Sequence, residues 1–177
     1  MSTAVANDRL VKRFEKWDID GNGVLEASDF QGEAARIADN LGRDAGSPEV
    51  QELLAAFQGL YEALAEKAGV APGSGINRDQ FLTATGNMLF QEGEASFNRA
   101  LSPVVKALIR LCDDNHDGEI DEREFRAWLT AVGVPNSEVG DKFRKVDANG
   151  DGRLSEDELL RVLREFHYGR LDVELLG

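Results

Sequence analysis

The chain has 177 residues, with 33 acidic and 20 basic side chains and a net charge of −13. That length suits one compact domain or two small lobes with a sizeable core, and a hydrophobic share of 42% sets it apart from disordered acidic tails. The charge argues against nucleic acid and against anionic membrane surfaces as partners, because both require clustered Lys and Arg.

Residues 1–10 lack an apolar segment and already contain Asp8 and Arg9, so no signal peptide is expected. From there Leu10, Phe14 and Trp17 recur at spacings of four and three, one face of an incoming helix. Residues 18–29 follow, with oxygen-bearing side chains at the first, third, fifth, ninth and twelfth places, glycine at the sixth and an aliphatic residue at the eighth. Phe30, Ala34, Ile37 and Leu41 then mark an outgoing helix.

The same 12-residue pattern returns at 113–124 and 147–158. The first of these follows the apolar run 104–112, which ends at Cys112, and precedes Phe125, Trp128, Leu129 and Val132. The second lies between Val139, Phe143 and Val146 on one side and Leu159, Val162, Leu163 and Phe166 on the other. Helix, loop, helix occurs each time, with the ligand spacing of an EF-hand calcium loop. With average residue usage such a loop arises by chance on the order of once per million windows.

In loop I the expected ligands are Asp18, Asp20, Asn22, the Val24 carbonyl, Glu26 and Asp29. In the next full loop they are Asp113, Asn115, Asp117, the Glu119 carbonyl, Asp121 and Glu124. In the last they are Asp147, Asn149, Asp151, the Arg153 carbonyl, Ser155 through a water, and Glu158. Calcium takes six to eight oxygens in flexible geometry, whereas magnesium demands a tight octahedron. Eleven of the 33 acids stand at these places, and three divalent ions would bring the charge from −13 to −7. Loop I departs once, closing on Asp29 where the others have glutamate. Aspartate is one methylene shorter, so chelation by both oxygens requires the exit helix to move closer; otherwise preference over magnesium narrows. Mg2+ competition is therefore expected there first. Asp121 to Glu124 and Ser155 to Glu158 also have capping-box spacing, so cap and ion compete for the glutamate, and the ion is expected to prevail.

Between loop I and residue 113 a fourth frame is visible. Residues 69–80 keep the aliphatic eighth place, Ile76, and the following aromatic, Phe81, but offer no carboxylate at the ligand places Gly69, Ala71, Gly73, Asn77 and Gln80. Val50, Leu53, Leu54, Phe57, Leu60, Tyr61 and Leu64 form a stripe before it, and Phe81, Leu82, Met88, Leu89 and Phe90 continue after it. Paired EF-hands join through a short strand at the eighth place, which predicts Ile76 against Leu25 and Ile120 against Leu154. The fold class is thus all-α: four EF-hands in two packed pairs with short β-pairing between loops. Residues 91–94 are the expected seam, giving an N-terminal pair over 1–92, with a degenerate second hand, and a C-terminal pair over 93–177.

Nothing in the remaining residues points to catalysis. His116 and His167 have no cysteine or second histidine at ligand spacing, and phosphate-cradling or nucleophile motifs are absent, so no enzymatic activity is expected. Trp17 and Trp128 fall on core stripes. A single cysteine excludes an internal disulfide, and no window approaches 18 apolar residues; a cytoplasmic monomer is expected. Calcium sensors favour methionine-rich grooves, yet this chain has two methionines against nine phenylalanines and two tryptophans, which favours a buffer. The tail Leu171, Val173, Leu175 and Leu176 is too apolar for a free end and is expected to fill the cleft a target peptide would use. A calcium sensor that exposes an apolar surface and docks a protein is the alternative reading.

The chain also resembles the calcium-binding proteins of sarcoplasmic type, and among them the bacterial calerythrin group. The likeness rests on Trp17-Asp18 with Asp29 closing loop I, the non-binding second hand, the stretch 93–99 and the ending 169–177. It implies a compact four-hand protein of the bacterial cytosol that binds three calcium ions and acts as a buffer or transporter. Asp29 is shared within that group, so it need not mean an inactive loop.

Overall fold

The computed structural model describes residues 3–176; Met1, Ser2 and Gly177, which belong to the stretches read above, lie outside the described residues. Eight α-helices are present among the described residues: α1 (Thr3–Trp17), α2 (Ala27–Asn40), α3 (Pro48–Ala68), α4 (Arg78–Asn87), α5 (Glu94–Cys112), α6 (Glu122–Ala131), α7 (Val139–Val146) and α8 (Glu156–His167). They flank the four loops as incoming and exit helices of hands I to IV. Each apolar stripe read from the sequence is the buried face of its helix: Phe14 and Trp17, Phe30 and Ile37, Phe125 and Trp128, and Val162 and Leu163 all lie in one continuous core. Trp17 packs at 5.1 Å from Phe30, with Phe57 and Phe81 edge-on to it, so the aromatics of hands I and II form one cluster.

The loops pair as their eighth places predict. Strand β1 (Val24–Leu25) runs antiparallel to β2 (Ile76–Asn77), with Leu25 opposite Ile76, both fully buried. In the other pair Ile120 and Leu154 exchange backbone hydrogen bonds of 3.0 and 2.8 Å. Hand II therefore keeps its structural half without the ligands.

One stripe residue departs from expectation. Phe90 is exposed and meets Tyr168 edge-on, with ring centroids 5.5 Å apart. Residues Met88–Glu92 form a π-helical turn, whose wider repeat rotates Phe90 off the buried face that a continued α-helix would give it. The Tyr168 hydroxyl donates to the Leu89 carbonyl at 2.6 Å and holds that turn.

After α8 the chain turns back into the cleft between the two pairs. Val173 and Leu175 are 0% exposed and Leu176 is 1% exposed. Glu174 pairs with the buried Arg13 of α1, Arg9 donates to the Leu171 carbonyl at 2.8 Å, and Trp128 Nε1 of α6 donates to the Leu175 carbonyl at 2.9 Å. The tail thus bonds to both pairs. Leu176 also closes, with Leu10, Trp17, Phe81 and His167, a narrow apolar cavity. No helix among the described residues is long and apolar enough to cross a membrane.

His167 sits fully within this core. Burial, then the nearby Arg13 charge, push its pKa down to about 4, against a hydrogen bond with the Leu163 carbonyl at 2.7 Å. A histidine with a depressed folded pKa is protonated in the unfolded chain first, so between about pH 6.5 and pH 4 acid favours unfolding. Calcium-free protein should lose roughly 3 kcal/mol from this group across that window. Denaturant melts of the parent and His167→Gln, at pH 7 and pH 4.5, check it: the variant should show a visibly smaller fall in stability.

Candidate metal centre

Loop I (18–29), loop III (113–124) and loop IV (147–158) each start at the last turn of the incoming helix and end inside the first turn of the exit helix, so the helices set the distance the candidate ligands must span. Glycine stands at the sixth place because the chain turns there with positive φ: Gly23 at 86°, Gly118 at 83° and Gly152 at 81°. The amide of that glycine donates to the first-place carboxylate in every loop, to Asp18 Oδ2 at 2.9 Å, Asp113 Oδ2 at 2.8 Å and Asp147 Oδ2 at 3.0 Å. The third- and fifth-place side chains fold over the turn in the same way. Asn22 Oδ1 accepts from the Val24 amide, Asn115 Oδ1 from Asp117, Asp117 Oδ1 from Glu119, Asn149 Oδ1 from Asp151, and Asp151 Oδ1 from Arg153. Asp20 accepts from Asn22, and Glu26 accepts from the Asn22 side chain at 3.2 Å.

The closing carboxylates bridge two elements. Glu124 accepts from the Asp121 amide with one oxygen at 2.9 Å and from the Asp114 amide with the other at 3.0 Å. Glu158 does the same with Ser155 at 2.9 Å and Ala148 at 3.1 Å. Cap and loop therefore share one carboxylate. Glu124 Oε1 and Glu158 Oε1 each accept a second bond, from the Asn115 and Asn149 amides at 3.4 Å, and Glu158 Oε2 accepts one from the Ser155 hydroxyl at 3.2 Å, so an ion at these oxygens would compete with the longer bonds. Asp29, despite its shorter chain, accepts from Glu26 at 2.8 Å and from Ile19 at 3.2 Å. The shorter residue thus makes the same two kinds of contact as the glutamates, to the cap amide and to the second-place amide of its loop.

Loop I is also where acids crowd most. Asp18, Asp20 and Asp29 bring carboxylate oxygens within 4.8 Å of one another, the one group of three metal-ligating acidic or histidine and cysteine side chains this tight among the described residues. Burial pushes the Asp29 carboxyl above its ordinary pKa; hydrogen bonds from the Glu26 and Ile19 amides oppose the shift, and Asp20 and Asp18 reinforce it. Such crowding stores repulsion that a cation would relieve. Loop IV supplies an independent sign. Asp147 Oδ1 is the one buried side-chain oxygen among the described residues with no hydrogen-bond donor, a costly state unless a cation fills it. The donors are all oxygens, which suits a hard divalent ion.

Of the other residues read from sequence, Cys112 is buried and its thiol pKa is pushed up to about 12 by burial, so it is inert packing. His116 takes the fourth place of loop III at φ 60°, where loops I and IV have Gly21 and Gly150. A side chain in that left-handed region is strained, and the fourth-place glycines of the other loops were the signal in the sequence. Asn77 to Gln80 in hand II form a capping box whose spacing was equally legible. Asp114, a second-place residue without an expected ligand role, is held below the usual carboxylate range by its hydrogen bond from Arg43.

Comparison with known proteins fits this geometry. The EF hand family profile matches residues 105–129 and 141–163, which contain loops III and IV. Along its whole length the chain is 55% identical to calerythrin of Saccharopolyspora erythraea, with all 177 residues and all of that protein aligned. The chain belongs to the calerythrin family of EF-hand proteins. A calcium-binding protein of Streptomyces coelicolor, described in the context of prokaryotic calcium-mediated regulation, superposes with a TM-score of 0.74 at 27% identity over 91% of this chain and 97% of that one. A luciferin-binding protein of Renilla reniformis is 27% identical over 91% of this chain and 85% of its own length. In this calerythrin-type chain, hand II meets loop I through its strand. Ile76→Ala opens a cavity beneath β1 and should cost about 2–5 kcal/mol. It should also weaken ion binding at loop I while leaving loops III and IV unchanged; calcium titration followed at the amides of Gly23, Gly118 and Gly152 separates the sites.

Proposed function

We propose that this protein binds three calcium ions, one each at loops 18–29, 113–124 and 147–158, and serves as a calcium buffer or transporter in the cytoplasm. The ligands are those read from the sequence, with Val24, Glu119 and Arg153 contributing carbonyls and Ser155 acting through water. The division into an N-terminal pair ending at residue 92 and a C-terminal pair beginning at 93 belongs to the same reading. Support for the ion comes from the all-oxygen donor sets, the crowded acids of loop I and the orphaned Asp147 oxygen.

A single observation carries the buffer role. The cleft that a sensor would open to a target is filled by the chain's own tail, with Val173, Leu175 and Leu176 buried and the Leu175 carbonyl bonded to Trp128. A buffer EF-hand protein stays closed when it binds, whereas a sensor exposes apolar surface. Calcium titration beside a hydrophobic dye therefore divides the readings. Dye fluorescence should fall or stay level when the parent binds calcium, and should rise once residues 171–177 are removed. A strong rise in the parent would establish the sensor instead.

Magnesium supplies the second test. Loop I closes on the shorter Asp29, and its coordination is expected to be the most tolerant of an octahedral ion. Calorimetric titration in millimolar magnesium should weaken calcium binding most at loop I, and Asp29→Glu should restore its preference for calcium. An apparent calcium affinity at loop I that ignores magnesium would contradict this assignment.

A further inference from the structure

The C-terminal end of α2 holds hand III at two places. Asn40, the last residue of α2, donates from Nδ2 to the carbonyl of Ala131, the last residue of α6, at 2.8 Å. Three residues on, Arg43 Nη2 donates to Asp114 Oδ1 at 2.7 Å. Arg43 is fixed to the helix it follows. Its amide donates to the Ala38 carbonyl and the Gly42 amide to the Asp39 carbonyl, both at 2.9 Å, with Gly42 at φ 66°. This is a Schellman closure, and it leaves the Arg43 backbone little freedom relative to α2.

On the far side, Asp114 is tied to the closing machinery of loop III. Its amide donates to Glu124 Oε1 at 3.0 Å, and its second carboxylate oxygen accepts from Arg123 at 3.3 Å. Arg123 is the neighbour of Glu124, so Arg43, Asp114 and Arg123 form a polar chain from α2 to the start of α6. At its other end α2 carries Asp29, the residue that closes loop I. A 14-residue helix is a rod of about 21 Å, with the closing ligand of one site at its start and the second hand pair gripped at its finish. Across the strand from loop I, hand II offers no carboxylate at its ligand places.

We propose that α2 couples ion binding at loop I to ion binding at loop III, through the Arg43–Asp114 ion pair and the Asn40–Ala131 bond. The inference rests on the calcium-binding reading above. When Asp29 closes on an ion, the exit helix shifts with it, and that shift reaches Asp114 and the end of α6. Coupling of this kind is reciprocal, so filling loop III favours loop I by the same factor. Arg43 and Asp114 are positioning residues, neither of them an expected ligand. Their side chains are 37% and 43% exposed, and a surface pair of this kind adds little to global stability. Its removal should uncouple the sites without unfolding the protein.

The test is a double-mutant cycle on the full-length chain, titrated with calcium and read at the Gly23 and Gly118 amide resonances. Asp29→Asn, which impairs loop I, should weaken loop III about two- to fivefold in the parent background. In an Arg43→Gln background the same substitution should leave loop III unchanged, while the melting temperature in chelator stays near that of the parent. Arg43→Glu should also uncouple the sites, and adding Asp114→Lys should restore the coupling, which a purely structural role for Arg43 would not do. Equal weakening of loop III in both backgrounds, no weakening in the parent, or a charge swap that restores nothing would each overturn the inference. If neither glycine responds to calcium, the calcium reading falls and the inference with it; if both respond but the effects add, the inference alone falls.

Discussion

The twelfth-place carboxylate is the joint on which this molecule turns. Asp29, Glu124 and Glu158 each stand in the first turn of an exit helix and reach back to an amide near the start of the loop. One short side chain thereby ties the start of the exit helix to the start of the loop. Because the cap amide is bonded by the same group, the helix start, the loop geometry and the ligand set cannot vary independently. The apolar stripes then bury whatever arrangement of helices that joint imposes.

Two features soften the threefold repetition. Hand II has the strand and the core contacts of an EF-hand without acids at its ligand places, and it meets loop I through Ile76 opposite Leu25. The tail has been drawn into the cleft, with Trp128 and Arg13 satisfying its polar atoms and Val173, Leu175 and Leu176 its apolar ones. Together these make a molecule in which the acidic loops lie exposed while the tail packs between the pairs. That arrangement is what the proposed buffer role would use: charge at the rim for an ion to neutralise, and a packed centre.

The loops, their pairing and the frame of hand II were legible because they depend on local spacing. Ligands at fixed intervals, glycine at a positive-φ turn and an aliphatic residue at the eighth place are all written within twelve residues. The shortness of Asp29 was legible too, but that it would still reach both the Glu26 and the Ile19 amide was not, since that depends on how α1 and α2 pack. Phe90 followed the apolar pattern and still left the core, because a π-helical turn is a shift of phase that periodicity alone does not announce. Arg43 gave no signal. It looks like any surface arginine until folding sets it beside Asp114, some seventy residues along the chain. The tail's destination was inferable from its composition, whereas its bond from the Trp128 indole, a residue whose ring already belonged to the core stripe, was not.

The central claim is that three closing carboxylates hold three calcium ions. Native mass spectrometry of the intact chain in calcium tests it most directly, with Asp29→Asn, Glu124→Gln and Glu158→Gln measured beside the parent. The account predicts three bound ions for the parent and two for each variant. A parent that binds two or four ions, or a variant that keeps all three at the same calcium concentration, would contradict it.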